Sequence, residues 1–364
     1  MSEVARLVLA DGLVLEGEAF GARDTVVGEV VFNTALTGYQ EIISDPSYAG
    51  QLICFTYPEI GNYGTHAAAD EAPAPRARGV IVRNLEREAS SWTSEEELDA
   101  YLTRHGVVGL SGVDTRKLVR RIRSAGAQMG VLDSTGKSVD ALRAQAAAAP
   151  GMEGRDLVSE VSTRKRETLP PLTGEQRARV AVIDYGAKGA IVEQLREHGC
   201  EVVLLPASVT AGQVLEVGPE GVLLSNGPGD PAVLTHQIET VKGLLGQVPL
   251  FGICLGSQLL GLALGARTHK LPFGHHGANH PVLDLETGKV EVTSQNHGFA
   301  IDEQSLPEGV VVSHRSLNDE TVEGISAPAK NAAGVQYHPE AAPGPHDARH
   351  LFERFLGRIE ASRA

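Results

Sequence analysis

A chain of 364 residues has room for two or three domains, each with its own core, and a composition of 42% hydrophobic and 21% charged residues is ordinary for a globular protein. With 46 acidic against 32 basic residues the net charge is −14, which excludes the electrostatic footprint of a nucleic-acid or anionic-membrane binder and leaves proteins and small molecules as partners. Three widely spaced cysteines, Cys54, Cys200 and Cys254, make neither a disulfide framework nor a zinc site, and they fit a reducing cytoplasm.

The opening Met-Ser-Glu-Val-Ala-Arg leads into only four apolar residues, Leu7 to Ala10, too few for the core of an export signal. Those residues and Leu13-Val-Leu flank Asp11-Gly12, a strong hairpin signal. Further strands are expected at 29–32, 51–57 and 79–83. Helices are expected at 94–104, opened by Ser94 with Glu97 three residues on, and at 114–124. Residues 1–142 thus read as a mixed α/β domain without a catalytic pairing. Within it Gly130-Val-Leu-Asp-Ser-Thr-Gly136-Lys137-Ser138 nearly spells a phosphate-binding loop, but it has one residue too many between its glycines. Residues 143–178, which pass through Pro150-Gly151 and Leu169-Pro-Pro-Leu-Thr-Gly174, read as an ordered but irregular linker.

From Arg179 onward short apolar runs alternate with helical patterns: strands at 180–184, 202–206 and 221–224, and helices at 187–198, 208–216 and 232–245. This alternation predicts a doubly wound, mostly parallel sheet across 179–364, and such sheets bind ligands beyond the carboxyl ends of their strands. Two loops fall at such ends. One is Ser225-Asn-Gly-Pro-Gly-Asp-Pro231, whose backbone N–H groups can serve an oxyanion or simply form a tight turn. The other is the bend at Cys254, between an apolar run at 248–253 and a leucine-rich helix, with Gly252 and Gly256 on either side. The arrangement matches a nucleophile elbow with sulfur in place of oxygen, the small neighbours leaving the thiol reachable and the helix N-terminus favouring the thiolate. A membrane helix is excluded by the shortness of the apolar stretch and by Ser257 and Gln258 within it. Gly186-Ala-Lys-Gly189 lacks a dinucleotide-binding pattern and reads as a helix start.

A cysteine nucleophile needs a base, and the base an orienting group. In Val335-Gln-Tyr-His338-Pro339-Glu340 the proline favours an extended backbone at His338, so that His338 and Glu340 project to the same side. His269, His275, His276, His280 and His297 lie in a Gly- and Asn-rich region without an accompanying carboxylate or cysteine set, so surface or hydrogen-bonding roles are expected for them and no metal site.

Gly252-Ile-Cys254-Leu-Gly-Ser-Gln258, His338-Pro-Glu340 and Ser225-Asn-Gly-Pro-Gly-Asp-Pro231 together resemble the class I (triad) glutamine amidotransferases. Phe32-Asn-Thr-Ala-Leu-Thr-Gly-Tyr-Gln-Glu41, Thr56-Tyr-Pro-Glu-Ile-Gly-Asn62, Asp114-Thr-Arg-Lys117, Phe273-Gly-His-His-Gly-Ala-Asn-His-Pro281 and Gln295-Asn-His-Gly-Phe299 extend the resemblance, over nearly the whole chain, to the small glutamine-hydrolysing subunits of carbamoyl-phosphate synthetases. The resemblance implies that Cys254 attacks the glutamine side-chain amide, that the N–H groups of Gly227 and Leu255 hold the oxyanion, that His338 moves the proton and that Glu340 steadies His338. It further implies that Ser47, Gly227, Gly229, Leu255, Gln258, Asn296, Gly298 and Phe299 bind glutamine. Ser47 on its own residues is turn chemistry after Asp45-Pro46. Relatives often carry His where this chain has Ser257, a difference that leaves the triad intact and bears on substrate affinity or coupling to the partner.

No cofactor is expected in this chain. The resemblance implies that ATP and Mg act on a large partner subunit that makes carbamoyl phosphate for pyrimidine and arginine synthesis, in a cytoplasmic assembly of small and large chains that is expected to form a higher oligomer. Two other readings stand beside this one: the amidotransferase component of another synthetase such as anthranilate synthase, against which residues 1–140 argue, and a catalytically dead binding subunit, against which Cys254, His338 and Glu340 argue.

Overall fold

The structure, a computed structural model, describes residues 4–363. The first three residues of the expected N-terminal domain, and Ala364 at the end of the expected C-terminal one, lie outside the described residues. The chain groups into two compact units. One runs to Glu153 and takes in Pro272–Gly277; the other comprises Gly154–Leu271 and the residues from Ala278 onward.

The first unit contains, in chain order, β1 (Val4–Leu9), β2 (Val14–Gly21), β3 (Thr25–Asn33), α1 (Tyr39–Ser44), β4 (Gln51–Phe55), β5 (Glu59–Ile60), β6 (Gly79–Ile81), β7 (Asn84–Leu85), α2 (Leu98–His105), β8 (Val108–Ser111), α3 (Thr115–Ala125), β9 (Gln128–Asp133) and α4 (Val139–Ala148). The hairpin forms across Asp11-Gly12: Gly12 takes φ 91°, which a residue with a Cβ rarely adopts, and Leu13 N–H donates to the Asp11 carboxylate over 3.0 Å. Seven strands close into a barrel in the order β1-β2-β8-β6-β4-β3-β9, with β3, β4, β6 and β8 parallel. Leu7, Leu9, Val30, Leu52, Ile81 and Leu132 fill it, and Leu118 and Ile122 of α3 add to the same core. Closure rests on β1 pairing with β9, more than 120 residues downstream in the chain, for which local patterning carries no signal.

One sequence expectation in this unit is corrected. The helix expected from Ser94 starts at Leu98, because Glu95 and Glu96 donate their N–H groups to Thr65 O and a bridge to Thr65 displaces the cap. The phosphate-loop look-alike is a turn closed by Asp133, whose carboxylate accepts the N–H groups of Thr135, Gly136 and Lys137 at 3.0–3.2 Å. The amides a phosphate would need are already taken.

The second unit contains α5 (Val158–Val161), β10 (Glu167–Leu169), β11 (Ala178–Asp184), α6 (Gly189–Glu197), β12 (Cys200–Pro206), α7 (Ala211–Leu215), β13 (Gly221–Leu224), α8 (Thr235–Leu244), β14 (Leu250–Ile253), α9 (Leu255–Leu264), β15 (Thr268–Asp284, less Pro272–Gly277), β16 (Val290–Ile301), β17 (Val311–Ser316), β18 (Val322–Ala327), β19 (Ala332–Val335) and α10 (His350–Arg363). The sheet order is β10-β12-β11-β13-β14-β19-β18-β17-β15-β16, and the strands from β12 to β19 in that order are parallel. Successive residues feed opposite cores, as period two demands: Ala181 and Ile183 of β11 join α7, α8 and α9 on one face, while Val180 and Val182 join α6 and α10 on the other. This is the doubly wound sheet the alternation predicted.

The stretch 143–178, expected to be irregular, contributes elements to both units. Leu142 and Ala146 of α4 pack on Val8 and Val131 of the barrel, and β10 adds an antiparallel edge to the large sheet. No helix among the described residues is long and apolar enough to cross a membrane.

Candidate active site

The chain passes from β14 into α9 through one residue. Cys254 takes φ 54° and ψ −109°, a conformation that costs a non-glycine residue about 1–3 kcal/mol and persists only where its surroundings impose it. Those surroundings are visible: Cys254 N–H donates to Val335 O over 2.9 Å, Cys254 O accepts from Gln258 N–H over 3.1 Å, and Gly256 N–H donates to Ser225 O over 2.9 Å. The flanking glycines serve close packing. A Cβ on Gly256 would stand 2.1 Å from Leu224 O, and one on Gly252 would stand 2.6 Å from Gly256 O. The expectation that small neighbours leave the thiol open is corrected accordingly, for they draw helix and strand together and Cys254 is only 2% exposed. Its Sγ lies 3.6 Å from Asn296 O and receives Gln336 Nε2–H at 3.7 Å.

His338 and Glu340 come together, by a route different from the extended segment expected. His338 bridges to Ser294 of β16, donating its N–H to Ser294 O over 2.9 Å; the chain then turns, and Ala341 N–H returns to His338 O. The turn leaves His338 Nδ1 2.6 Å from Glu340 Oε1, both residues buried. Beneath them stands Lys188, which caps α6 and is itself buried. Its Nζ is 3.0 Å from Glu340 Oε1 and also bonds Ala341 O. Sequence reasoning missed this lysine, reading its surroundings as a helix start; a lysine without room to reach solvent would have been its only signal.

Burial works against charge on His338, but the Glu340 carboxylate and the neighbouring Cys254 outweigh it and raise the ring to about 10. Burial likewise opposes the Glu340 charge, and Lys188 and His338 overcome it and hold the carboxyl near 2. The result is a carboxylate with a cation on either side, and an imidazolium whose Nδ1 is committed to Glu340. Its Nε2 is buried and makes no hydrogen bond among the described residues.

Leu255 is the first residue of α9, and Gly227 touches it: a Cβ on Gly227 would meet Leu255 Cδ2 at 2.8 Å and Tyr185 O at 2.3 Å. No hydrogen bond among the described residues engages either N–H, and the helix N-terminus adds its positive end to them. Gln258 is buried in a relay: Nε2 donates to Phe299 O over 2.8 Å and to Gln336 Oε1 over 3.0 Å, and Gln336 reaches Cys254. Gln336, a second residue missed from sequence, therefore ties two candidate positions, Gln258 and Cys254, together. Asn296, Gly298 and Phe299 are neighbours on β16, with Lys270 Nζ 5.1 Å from the Phe299 ring centroid. Gly229 pairs instead with Asp156, and its φ of 93° and the Arg155 O facing it leave no room for a side chain. Ser47 belongs to the first unit, where its N–H donates to the Asp45 carboxylate over 2.8 Å. Of the histidines for which surface or hydrogen-bonding roles are expected, His275, His276 and His297 are buried rather than at the surface, and His297 Nδ1, 2.8 Å from Phe299 O, takes the hydrogen-bonding role.

A strained cysteine at a strand-to-helix junction, a buried His–Glu pair and open amides beside the thiol make a candidate site for nucleophilic hydrolysis, and comparison with known proteins identifies the family. Residues 181–357 match the family model described as glutamine amidotransferase class-I, and residues 7–132 match the carbamoyl-phosphate synthase small chain, CPSase domain. The chain is 53% identical to the carbamoyl phosphate synthase small chain of Parasynechococcus marenigrum, covering 98% of this chain and 96% of that one. It is 50% identical to the small chain of Rhodopirellula baltica, with 98% and 97% covered, and 48% identical to the pyrimidine-specific small chain of Bacillus subtilis, with 98% and 96% covered. The chain belongs to the carbamoyl phosphate synthase small-chain family.

Proposed function

We propose that Cys254, His338 and Glu340 carry the glutamine-hydrolysing activity that family membership gives this chain, with ammonia delivered to a large synthetase chain. The observation that carries the assignment is the backbone of Cys254, held at φ 54° beside a buried His338–Glu340–Lys188 chain of charges. Structural cysteines do not need that strain.

In the first half-reaction Cys254 Sγ, as thiolate, attacks the side-chain amide carbon of glutamine, and the carbonyl electron pair moves to oxygen, opposite the N–H groups of Gly227 and Leu255. The C–N bond breaks as protonated His338 gives its Nε2 proton to the departing ammonia, leaving a thioester. Acylation removes the Cys254 charge that had helped hold the ring protonated, so the His338 pKa falls and the imidazole becomes a base. It takes a proton from water, hydroxide attacks the thioester carbon, and glutamate leaves as the thiolate returns. Glu340 and Lys188 keep the ring oriented throughout and do not themselves exchange protons.

Gln258, Asn296, Gly298, Phe299 and Gly229 complete the second unit's share of the glutamine site in this reading. ATP and Mg2+ act on the large chain, in agreement with a phosphate-loop look-alike whose amides already serve Asp133. The assembly is proposed to be cytoplasmic, built of small and large chains in a higher oligomer, and to supply pyrimidine and arginine synthesis.

The test is co-purification followed by assay. The isolated chain should show low glutaminase activity, stimulated by a large synthetase chain with ATP and bicarbonate, and the pair should form carbamoyl phosphate from glutamine. Support of anthranilate formation instead would defeat the synthetase assignment and leave the triad chemistry standing.

A further inference from the structure

Helix α3 carries a charge distribution at odds with the rest of the chain. Its sequence, Thr-Arg-Lys-Leu-Val-Arg-Arg-Ile-Arg-Ser-Ala, holds five cations and no acid in 11 residues, in a protein of net charge −14. Leu118 and Ile122 point into the barrel core, while Arg116, Lys117, Arg120, Arg121 and Arg123 are exposed. Arg121 is held by Asp11 of the β1–β2 hairpin; Arg116, Lys117, Arg120 and Arg123 have no carboxylate partner among the described residues. Positions 116 and 120, and 117 and 121, are like charges one turn apart, an arrangement that destabilises an isolated helix. Between helix and hairpin lies an open groove of about 760 Å³, lined by four cations, Arg116, Lys117, Arg120 and Arg121, against two carboxylates, Asp11 and Asp114, with Leu13 beside them.

The chemistry of the groove selects among ligands. It contains no aromatic ring on which a base could stack and a single apolar side chain, Leu13, too little to enter a bilayer. Its cations are exposed rather than buried, so it is not the enclosed pocket of a small metabolite. What remains is a surface whose own carboxylates neutralise these cations. We propose that the α3 face is the docking surface for an acidic patch on the large synthetase chain, and that its charge sets the rate and salt dependence of their association. The inference rests on the partnership stated above and deepens it by naming the face. It also gives the first unit, which has no catalytic set, an electrostatic role. Concentrating opposite charge on one face lets two chains find each other, although this one is strongly acidic overall.

The experiment measures association of the full chain with its large chain by surface-immobilised kinetics over a range of salt concentrations. The triple variant Arg116→Glu/Arg120→Glu/Arg123→Glu should weaken binding at least tenfold at low salt, mostly through the on-rate, and flatten the salt dependence. Arg116→Lys/Arg120→Lys/Arg123→Lys should bind like the parent, since it keeps the charge. Both variants should keep the parent's melting temperature and isolated glutaminase activity, because none of these residues belongs to the Cys254 site. Unchanged affinity and salt dependence in the reversed variant would overturn the docking face while leaving the partnership intact. Failure of the parent chain to bind the large chain at all would overturn both. Equal weakening by the lysine and glutamate variants would also overturn the proposal, since shape rather than charge would then be recognised.

Discussion

Each unit buries a cysteine at the end of a strand flanked by parallel neighbours, and the two thiols have opposite characters. Cys54, in β4, continues a regular strand into an apolar barrel core, fully buried, and burial pushes its thiol up to about 12. Cys254, at the end of β14, is nearly as buried, yet its backbone leaves the strand in one residue and places Sγ at a helix N-terminus beside His338 and Gln336. Burial therefore does not distinguish a structural thiol from a nucleophile. The distinguishing features are a backbone conformation the fold must enforce and a counter-charge within reach.

The largest expected effect tests that contrast directly. Cys254→Ser should lower glutaminase kcat by about a thousandfold or more with the fold intact, because a serine hydroxyl without thiolate character is a far weaker nucleophile. Cys54→Ala should leave kcat/KM within about twofold and cost about 1–2 kcal/mol of stability through the cavity it opens. Assay of both variants, with urea unfolding alongside, checks the pair; comparable loss of activity in Cys54→Ala would erase the distinction.

The next effect in size concerns the charges behind the ring. His338→Asn should stop turnover, down about a thousandfold, whereas Glu340→Gln should slow it by about 10- to 100-fold, since an orienting group contributes less than the proton carrier. Lys188→Met should act through Glu340: it removes one of the two cations that hold a buried carboxylate, lowering stability by about 1–3 kcal/mol and kcat with it. Equal and negligible effects at 338 and 340 would move the base elsewhere.

How far these features could be read in advance follows from their range in the chain. Cys254 with its glycines, the Asp11-Gly12 hairpin and the alternating second unit are local patterns, and a period or a turn suffices to find them. His338 and Glu340 were legible for a partly mistaken reason, since a turn rather than an extended segment joins them. Lys188 and Gln336 were not legible, because their roles depend on residues over 80 positions away in sequence and nothing local marks them. Barrel closure, and the loss of the Ser94 cap to pairing with Thr65, failed to show for the same reason: tertiary pairing overrides local propensity.

The two titrating groups set a pH window for the second unit. His338 is raised from 6.5 to about 10, so the stability it contributes is present in full below pH 6.5 and is lost as pH rises through about 10. Glu340 is lowered from 4.5 to about 2, so its contribution is present above pH 4.5 and is lost as pH falls through about 2. The melting-temperature advantage of the parent chain over His338→Asn should therefore shrink steadily between pH 6.5 and 10. An advantage constant over that range would mean that the ring is neutral in the folded protein.

The smallest expected effect lies one turn into α9. Ser257 is completely buried, and its Oγ makes no hydrogen bond among the described residues. Space around it is tight, for a Cβ on Gly334 would stand 2.7 Å from that oxygen. A buried hydroxyl without a partner gives up its hydration for nothing, so Ser257→Ala should be neutral or stabilising by up to about 1 kcal/mol. Glutaminase kcat/KM should stay within about twofold, because the relay from Gln258 through Gln336 to Cys254 does not pass through it. Ser257→His should cost about 1–3 kcal/mol here by overpacking the contact with β19. Paired with Cys54→Ala, the alanine variant separates burial from function once more: two buried polar or sulfur atoms, each near a strand end, removed without silencing the enzyme. A tenfold rise in KM for glutamine in Ser257→Ala would place its hydroxyl against substrate, and the active-site side of the comparison would then extend a full turn along α9.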